Sequence, residues 1–320
     1  MPRVSVLMPT YNTQESHLRE AIQSVLNQTF ADFEFLILDD GSASAAEIRE
    51  IVLSFADPRI KFFENEKNLG ISASRNKLLK MARGEYIAVH DHDDISLPER
   101  LRQEVDFLDQ NPDVGVVSGA FYTIHRSPRH RGKITRYPAD NEFIEEFLLF
   151  SCVIPHQAAM IRKKILEENG VFYEEDYSPS EDYAMWCRLI GKTRFANLKD
   201  VLIHYRDHSG NTSHTQTEKM GEVTLRIKAF ARSGHPDLWD CAQKRAALKK
   251  RYRLFGVLPL VTVRTQDNKT NYILEKRYLA FGVLPLMTIR TQERKTNYLL
   301  FGFFRILKCN LGEDLSGGPM

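Results

Sequence analysis

Asp91, Asp93 and Asp94 place three carboxylates within four positions, directly after an apolar run of the chain. Like charges this close repel one another unless a cation or donor groups compensate them. One or two carboxylates together with substrate phosphates commonly hold Mg²⁺ or Mn²⁺. The cluster therefore predicts a divalent metal site, with a solvated acidic loop as the less favoured alternative. His90 and His92 would suit zinc, but isolated alternating histidines are more often structural, so zinc is the weaker choice.

A second acidic pair, Asp39 and Asp40, follows an apolar β-type run and precedes Gly41. Ligand sites of open α/β sheets lie outside the carboxyl ends of the strands, which is where this pair would fall. An ordinary Asp-Gly turn accounts for the same residues equally well.

Four further charged residues could contribute to a site. Asp182, at the start of a helical pattern, could act as a general base, although acidic residues are ordinary in a first helical turn. Arg75 follows a glycine turn and could reach a phosphate or a base. Arg206 and His208 follow the last strand pattern and offer a cation and a metal-ligating imidazole, with a charged surface loop as the equal alternative.

The elements that would position these residues alternate between β-type apolar runs and helical patterns. Such alternation predicts an α/β fold with a mostly parallel central sheet and helices on both faces. The predicted strands cover residues 4–8, 33–38, 60–63, 86–90, 115–120, 158–161 and 201–205. The predicted helices cover residues 18–27, 72–83, 97–108, 142–150 and 180–190.

Length and composition place the chain among folded proteins. Its 320 residues are 42% hydrophobic and 27% charged, which excludes disordered, collagen-like and coiled-coil classes. The net charge of +2 hides an asymmetry, because residues 221–320 carry +10 and the preceding residues carry −8. A basic segment of this kind could meet an anionic membrane surface or nucleic acid, with a solvated basic face as the alternative.

Cysteine spacing and the N-terminal sequence both indicate a reduced, cytoplasmic compartment. The four cysteines form no Cys-x-x-Cys pair, which argues against zinc knuckles and thioredoxin-like chemistry. Residues 1–20 lack the apolar run of a signal peptide. Apolar stretches near 255–263 and 281–289 are about nine residues long, well short of the roughly 20 needed to cross a bilayer. Any membrane contact would therefore be peripheral.

An internal repeat lies near the end of the chain, where residues 254–266 recur as residues 280–292 with an offset of 26. A truncated third copy begins at residue 301. Each copy combines apolar, β-branched arms with a polar segment such as 266–268, which predicts a β-hairpin. Two copies and a fragment are fewer than the three or so units that stabilise a solenoid, so we expect the repeats to need a partner surface.

In their order and spacing these motifs resemble those of the family 2 glycosyltransferases, which have the nucleotide-sugar-binding fold called GT-A. The resemblance covers roughly residues 3–215, and the ordered set is specific although each motif alone is weak. The motifs are Val4-Ser-Val-Leu-Met-Pro-Thr-Tyr-Asn12, Ser24-Val-Leu-Asn-Gln-Thr-Phe30, Asp39-Asp-Gly-Ser42, Asn68-x-Gly70 with Arg75-Asn76, Gly84-Glu-Tyr-Ile87, Asp91-His-Asp-Asp94, Glu181-Asp182 and Tyr205-Arg206.

With this resemblance, residues 1–220 are expected to form the GT-A catalytic domain. We expect a helical connector at 221–253, a basic tail of β-hairpin repeats at 254–310 and a flexible terminus at 311–320.

The resemblance also implies a role for each motif residue. Asp39 would accept hydrogen bonds from uracil, Asp93 would hold Mn²⁺ or Mg²⁺ on the diphosphate, and Asp182 would be the catalytic base. Further metal ligands could come from Asp91, Asp94 and His208. The residues expected to bind the donor nucleotide are Pro9, Tyr11, Asp39, Arg75, Asp91 and Arg206.

The implied reaction is inverting transfer of a hexosyl or N-acetylhexosaminyl group from a nucleoside diphosphate sugar, with UDP as the family's commonest nucleotide. The acceptor would be a saccharide or a lipid-linked acceptor of bacterial lipopolysaccharide or capsule biosynthesis. We expect a cytoplasmic enzyme, peripheral on the inner membrane through its repeats, with no nucleic-acid partner. One alternative is a nucleotidyltransferase of the nucleotide-sugar pyrophosphorylase type, which residues 9–13 disfavour because they contain no glycine. The other is a non-catalytic glycan-binding scaffold, which the intact acidic set disfavours.

Overall fold

The computed structural model describes residues 1–125 and 132–253, together with the backbone of 258–265, 272–280, 284–292, 295–300 and 309–310. Side chains are described up to residue 245. The chain divides into two compact units, Met1–Pro236 and Asp237–Met320.

The first unit alternates strands and helices, as the sequence predicts. Its first part comprises β1 (Val4–Thr10), α1 (Glu15–Leu26), β2 (Phe33–Asp39), α2 (Ala45–Leu53), β3 (Ile60–Glu64), α3 (Ile71–Met81), β4 (Tyr86–Val89), β5 (Ile95–Ser96) and α4 (Arg100–Gln110). Its second part comprises β6 (Val114–His125), β7 (Lys133–Thr135), α5 (Asn141–Leu148), β8 (Met160–Arg162), α6 (Lys163–Asn169), α7 (Glu181–Leu189), β9 (Arg194–Asp207), α8 (Thr212–Thr215) and α9 (Thr217–Gly234).

Within the described residues, nine strands form one sheet in the order β3-β2-β1-β4-β8-β6-β9-β5, with β7 added beside β6. The first four strands of this order are parallel, as are β6 and β9, whereas the other pairs are antiparallel. The register places Thr10 of β1 opposite Asp39 of β2, and Leu7 of β1 opposite Val89 of β4. The carboxyl ends of β1, β2 and β4 therefore meet at one edge.

Strands β1 and β2, in the parallel part of the sheet, are covered on both faces, which is why most of their residues are apolar. All seven residues of β1 and all seven of β2 are buried. Helix α1 packs on this core through Leu18, Ala21, Ile22 and Val25, whose spacing forms one apolar stripe on a helix.

Several elements differ from the sequence prediction. Helix α2 occupies a segment for which no element was predicted, although Ile48, Ile51 and Val52 are buried at helical spacing. Strands β6 and β9 extend well beyond the predicted 115–120 and 201–205 because they pair with each other along most of their length. This long pairing delivers Arg206 and Asp207 at the end of β9.

The second unit contains helix α10 (Pro236–Arg253) and the strands β10 (Leu258–Thr265), β11 (Tyr272–Ala280), β12 (Leu284–Gln292), β13 (Lys295–Leu300) and β14 (Cys309–Asn310). These strands pair antiparallel in chain order. Strands β10 and β12 fall at equivalent positions of the two repeat copies. The predicted turn at 266–268 and the terminus at 311–320 lie outside the described residues.

Helices long and apolar enough to span a membrane are absent from the described part of the chain.

Candidate active site

The turn after β2 brings Asp39 beside the end of β1. Asp39 is fully buried, and its carboxylate accepts hydrogen bonds from the backbone N–H of Ser42 (3.0 Å) and from its Oγ (2.5 Å). Pro9 is buried and Tyr11 is 46% exposed, so the nearby aromatic ring is open to a ligand. The Asp-Gly turn predicted from the sequence is therefore formed. The Asp39 carboxylate has about four lone-pair sites, so it can still accept a hydrogen bond from a ligand.

Gly41 permits this turn because its φ is +70°, which non-glycine residues rarely adopt. An added Cβ would lie only 2.4 Å from the carbonyl carbon of Lys67. We expect Gly41→Ala to lower the free energy of unfolding by about 2 kcal/mol or more, through both strain and overlap. Gly170→Ala is the matched control, because its φ is +58° but its Cβ would meet nothing within 4 Å. Equal losses in urea denaturation would contradict the steric argument.

Asp40 organises the loop that leads into α3. Its carboxylate accepts hydrogen bonds from Nδ2 of Asn65 (2.7 Å) and from the backbone N–H groups of Leu69 and Gly70 (2.9 Å each). The two acidic residues of this pair therefore differ in role. Asp40 fixes a loop, whereas Asp39 lies at the strand edge where a ligand could bind.

The acidic loop, residues 91–94, follows β4, and its three carboxylates contact three different partners. Asp91 pairs with Nη2 of Arg75 at 3.1 Å, and Oδ2 of Asp93 lies 2.8 Å from Nε2 of His208. Asp94 accepts a hydrogen bond from the backbone N–H of Arg206 at 2.8 Å. Because each carboxylate has a different partner, the electrostatic repulsion among the three, which their spacing in the sequence implies, is reduced.

The charges of the acidic loop still perturb one another. Burial, with the charges of Asp91 and Asp93, holds the pKa of Asp94 well above its ordinary value. Burial also opposes ionisation of Asp93, but nearby His92 and the hydrogen bond with His208 outweigh it, so the pKa of Asp93 is lowered. Asp93 is therefore the ionised carboxylate of the loop that is best suited to a cation.

The residues present fit a divalent cation that also binds phosphate. No group of three His, Cys, Asp or Glu side chains in the described part of the chain could hold a metal by itself. Asp93 and His208 nevertheless offer one oxygen and one nitrogen ligand side by side. Such a partial set suits Mg²⁺ or Mn²⁺, which take their remaining ligands from substrate phosphates and water. A closed four-ligand zinc site is not formed by these residues.

Arg75 joins the acidic loop to helix α7. Its Nη1 donates to Oε1 of Glu181 at 2.6 Å, its Nη2 donates to Asp91, and its guanidinium stacks 5.4 Å from the ring centre of Tyr173. The side chain is only 8% exposed. The sequence predicts that Arg75 helps to bind the donor nucleotide, and its described contacts are with two carboxylates and the Tyr173 ring. Tyr173 and Glu181 were not assigned roles from the sequence.

Asp182 lies in the first turn of α7, next to Glu181, as the sequence predicts. Burial is the main cause that raises the pKa of Asp182, to about 6; the charge of Glu181 adds to it and that of Arg75 opposes it. Its Oδ1 accepts a hydrogen bond from the backbone N–H of Tyr183 at 2.7 Å. A carboxylate with this pKa is ionised at neutral pH yet more basic than an ordinary aspartate, which suits a general base.

Arg206 reaches the acidic loop from the end of β9. Its Nε donates to the backbone oxygen of Asp93 at 2.8 Å, and its Nη2 pairs with Glu20 of α1. His208 is two residues further on, and its ring lies 5.5 Å from that of His17, also on α1. The predicted site residues Arg206, Asp93 and His208 are thus brought together.

A buried arginine holds both ends of the acidic loop. Arg100, 1% exposed, donates to the backbone oxygen of Val89 (2.7 Å) before the loop and to Oγ of Ser96 (3.0 Å) after it. It also pairs with the fully buried Glu104. Arg100 and Glu104 were given no role from the sequence. The signal that could have identified them is an oppositely charged pair at i and i+4 among the apolar residues of α4.

Comparison with known proteins adds an independent finding. The family model described as Glycosyl transferase family 2 matches residues 5–170. An uncharacterized glycosyltransferase of Methanocaldococcus jannaschii is 38% identical over 213 residues, covering 64% of this chain and 71% of that protein. The UDP-Glc:alpha-D-GlcNAc-diphosphoundecaprenol beta-1,3-glucosyltransferase WfgD of Escherichia coli is 29% identical over 187 residues, covering 58% and 69%.

Among solved structures, S. aureus TarS 1-349 in complex with UDP-GlcNAc superposes with a TM-score of 0.58 at 22% identity. The match covers 72% of this chain and 66% of that chain. The likeness confirms the expected fold, a mixed α/β sheet of the GT-A type.

Proposed function

The chain belongs to glycosyltransferase family 2 and is a transferase, and on that premise we propose that it moves a sugar from a UDP-sugar to a saccharide or lipid-linked acceptor, with inversion. The observation that carries this proposal is the link made by Arg75. It pairs with Asp91 of the acidic loop and with Glu181, the neighbour of Asp182. The buried Arg75 guanidinium therefore links the acidic loop, which is suited to a metal and a diphosphate, to the start of α7, where Asp182 is suited to act as a general base.

The proposed nucleoside pocket lies at the ends of β1 and β2. Exposed Tyr11 offers a ring face for the base, with Pro9 and the Asp39 carboxylate beside it. UDP is proposed because WfgD is named for UDP-Glc and the TarS structure contains UDP-GlcNAc. The same names support a hexose or an N-acetylhexosamine as the transferred sugar.

The proposed diphosphate site lies between the acidic loop and the end of β9. Asp93 and His208 would hold Mn²⁺ or Mg²⁺, while Asp91 would face the ribose and Arg206 the diphosphate. When bound, the metal would stabilise negative charge on the departing diphosphate. Arg206 contributes a fixed positive charge beside Asp93, whose backbone oxygen it already contacts.

The proposed chemical step is a single displacement. Asp182 accepts the proton of the acceptor hydroxyl as its oxygen bonds to the anomeric carbon. The bond from that carbon to the diphosphate oxygen breaks, and UDP leaves with the electron pair. Attack from the face opposite the leaving group inverts the anomeric configuration. The position of Asp182 at the start of α7, across Arg75 from the acidic loop, supports this division of roles.

A direct test is a transfer assay in which UDP-glucose and UDP-N-acetylglucosamine are supplied with Mn²⁺ and release of UDP is followed with and without saccharide acceptors. Acceptor-dependent UDP release from either sugar is the expected result. In a parallel reaction that contains a nucleoside triphosphate and a sugar 1-phosphate, consumption of the triphosphate by a chain that leaves UDP-sugars intact would favour the nucleotidyltransferase alternative. A chain that binds glycan but turns over neither class would favour the scaffold.

The cellular setting is proposed from charge and from one relative. WfgD is named for a lipid-linked acceptor, a diphosphoundecaprenol, and residues 221–320 of this chain carry +10. We propose a cytoplasmic enzyme of bacterial lipopolysaccharide or capsule biosynthesis, held peripherally on the inner membrane through residues 254–310.

Removal of residues 254–320 is expected to shift the protein from the membrane fraction to the soluble fraction, because the apolar repeats and part of the basic charge are lost. Fractionation of cells producing either form measures this shift. A truncated chain that stays fully membrane-associated would contradict the proposed role of the repeats.

A further inference from the structure

Helix α1 contacts both groups that would face the donor diphosphate. Glu20 pairs with Nη2 of Arg206 at 2.5 Å, and the ring of His17 lies 5.5 Å from that of His208. Residues three apart share one face of a helix, so a single face of α1 is turned toward the end of β9. Neither residue was given a role by the motifs of the sequence.

Two contacts fix the orientation of the Arg206 guanidinium. Its Nε donates to the backbone oxygen of Asp93 at 2.8 Å, and its Nη2 donates to Glu20. A planar guanidinium held at two of its five N–H donors cannot rotate about its stem, so its remaining donors keep one direction. Ordering the side chain before the ligand arrives reduces the entropy lost on binding.

The charge of Glu20 acts against an anionic ligand, but weakly. Its side chain is 53% exposed, whereas that of Arg206 is 17% exposed. Water and salt screen an exposed carboxylate, so its repulsion of a diphosphate is small. The orienting effect is therefore the larger one.

We infer that Glu20 is a positioning residue that holds the Arg206 guanidinium ready for the donor diphosphate. The inference rests on the proposed function, since it presumes that a nucleoside diphosphate binds beside Asp93. Glu20 acts through its carboxylate oxygen as a hydrogen-bond acceptor. Glutamine retains such an oxygen and alanine does not, so the two substitutions separate geometry from charge.

The test is calorimetric titration of the full chain with UDP in the presence of Mn²⁺. Glu20→Ala is expected to weaken UDP binding about fivefold to tenfold, because Arg206 must then be ordered by the ligand. Glu20→Gln is expected to stay within about twofold of the unmodified chain. Glu15→Ala is the control, since Glu15 pairs with Arg19 on the same helix and is exposed. It should leave UDP affinity unchanged.

Three outcomes would overturn the inference. Tighter UDP binding by Glu20→Ala would show that Glu20 competes with the diphosphate. A lower melting temperature with unchanged UDP affinity would show a structural contact only. A loss in Glu20→Gln as large as in Glu20→Ala would show that charge, not the acceptor geometry, matters. Failure of the unmodified chain to bind UDP with Mn²⁺ would contradict the proposed function itself, and the inference about Glu20 would then lose its premise.

Discussion

Asp182→Asn is expected to reduce the rate of sugar transfer by about 10²-fold to 10⁴-fold, the usual contribution of a positioned base. The amide cannot accept the acceptor's proton, but it is nearly isosteric and leaves the acidic loop intact. UDP affinity should therefore stay within about twofold of the unmodified chain. Single-turnover transfer assays and UDP titrations measure the two quantities separately.

Asp176→Asn is a matched control, because Asp176 is an exposed carboxylate in the segment just before α7. It should leave the transfer rate unchanged. The pH dependence gives a second readout of the same prediction. Since the pKa of Asp182 in the ligand-free chain is about 6 and only the ionised form is a base, kcat/KM should fall as the pH drops below about 6. Near-normal turnover by Asp182→Asn, or a rate that is flat down to about pH 4.5, would contradict the assignment.

Asp93→Asn is expected to weaken Mn²⁺-dependent UDP binding by about 100-fold and to abolish transfer. The substitution removes a loop carboxylate whose pKa is lowered and which lies 2.8 Å from Nε2 of His208. Changes to groups that merely support a metal ligand already cost about 10-fold to 100-fold in metal affinity or activity, so loss of a ligand should cost at least as much. Asp93→Asn should therefore lower the affinity for UDP, whereas Asp182→Asn should lower only the rate of transfer.

Titration of UDP in the presence of Mn²⁺, and again with a chelator, measures the effect of Asp93→Asn. Asp106→Asn serves as the control, because Asp106 is an exposed carboxylate on α4. UDP binding by Asp93→Asn that still responds fully to Mn²⁺ would move the metal site to other residues. Asp91 and Asp94 would then be examined by the same titration.

The acidic loop was predictable from sequence because its chemistry is local. Three carboxylates directly after an apolar run imply a strand end and a cation, and β4 ends at Val89, just before that loop. The position of Asp39 was predictable for the same reason, since this residue ends β2. Local spacing thus identifies groups at strand ends whenever the strands themselves are strongly apolar.

The contacts that organise the site were not predictable, because they join residues far apart in the chain. Arg75 and Glu181 are separated by 106 positions, and Arg206 and Glu20 by 186. Periodicity reports which face of an element is buried, not which element covers it. The turn before α3 indicated that Arg75 could reach a phosphate or base, whereas its position between two carboxylates depends on where α7 packs.

We propose that the edge formed by the carboxyl ends of β1, β2 and β4 binds UDP together with a divalent metal. Calorimetric titration of the unmodified chain with UDP, in Mn²⁺ and then in excess chelator, tests it most directly. We expect saturable binding in Mn²⁺ that weakens at least about tenfold in the chelator, because the metal would take ligands both from the diphosphate and from Asp93 and His208. Absence of UDP binding in Mn²⁺, or equal affinity with and without the metal, would contradict it.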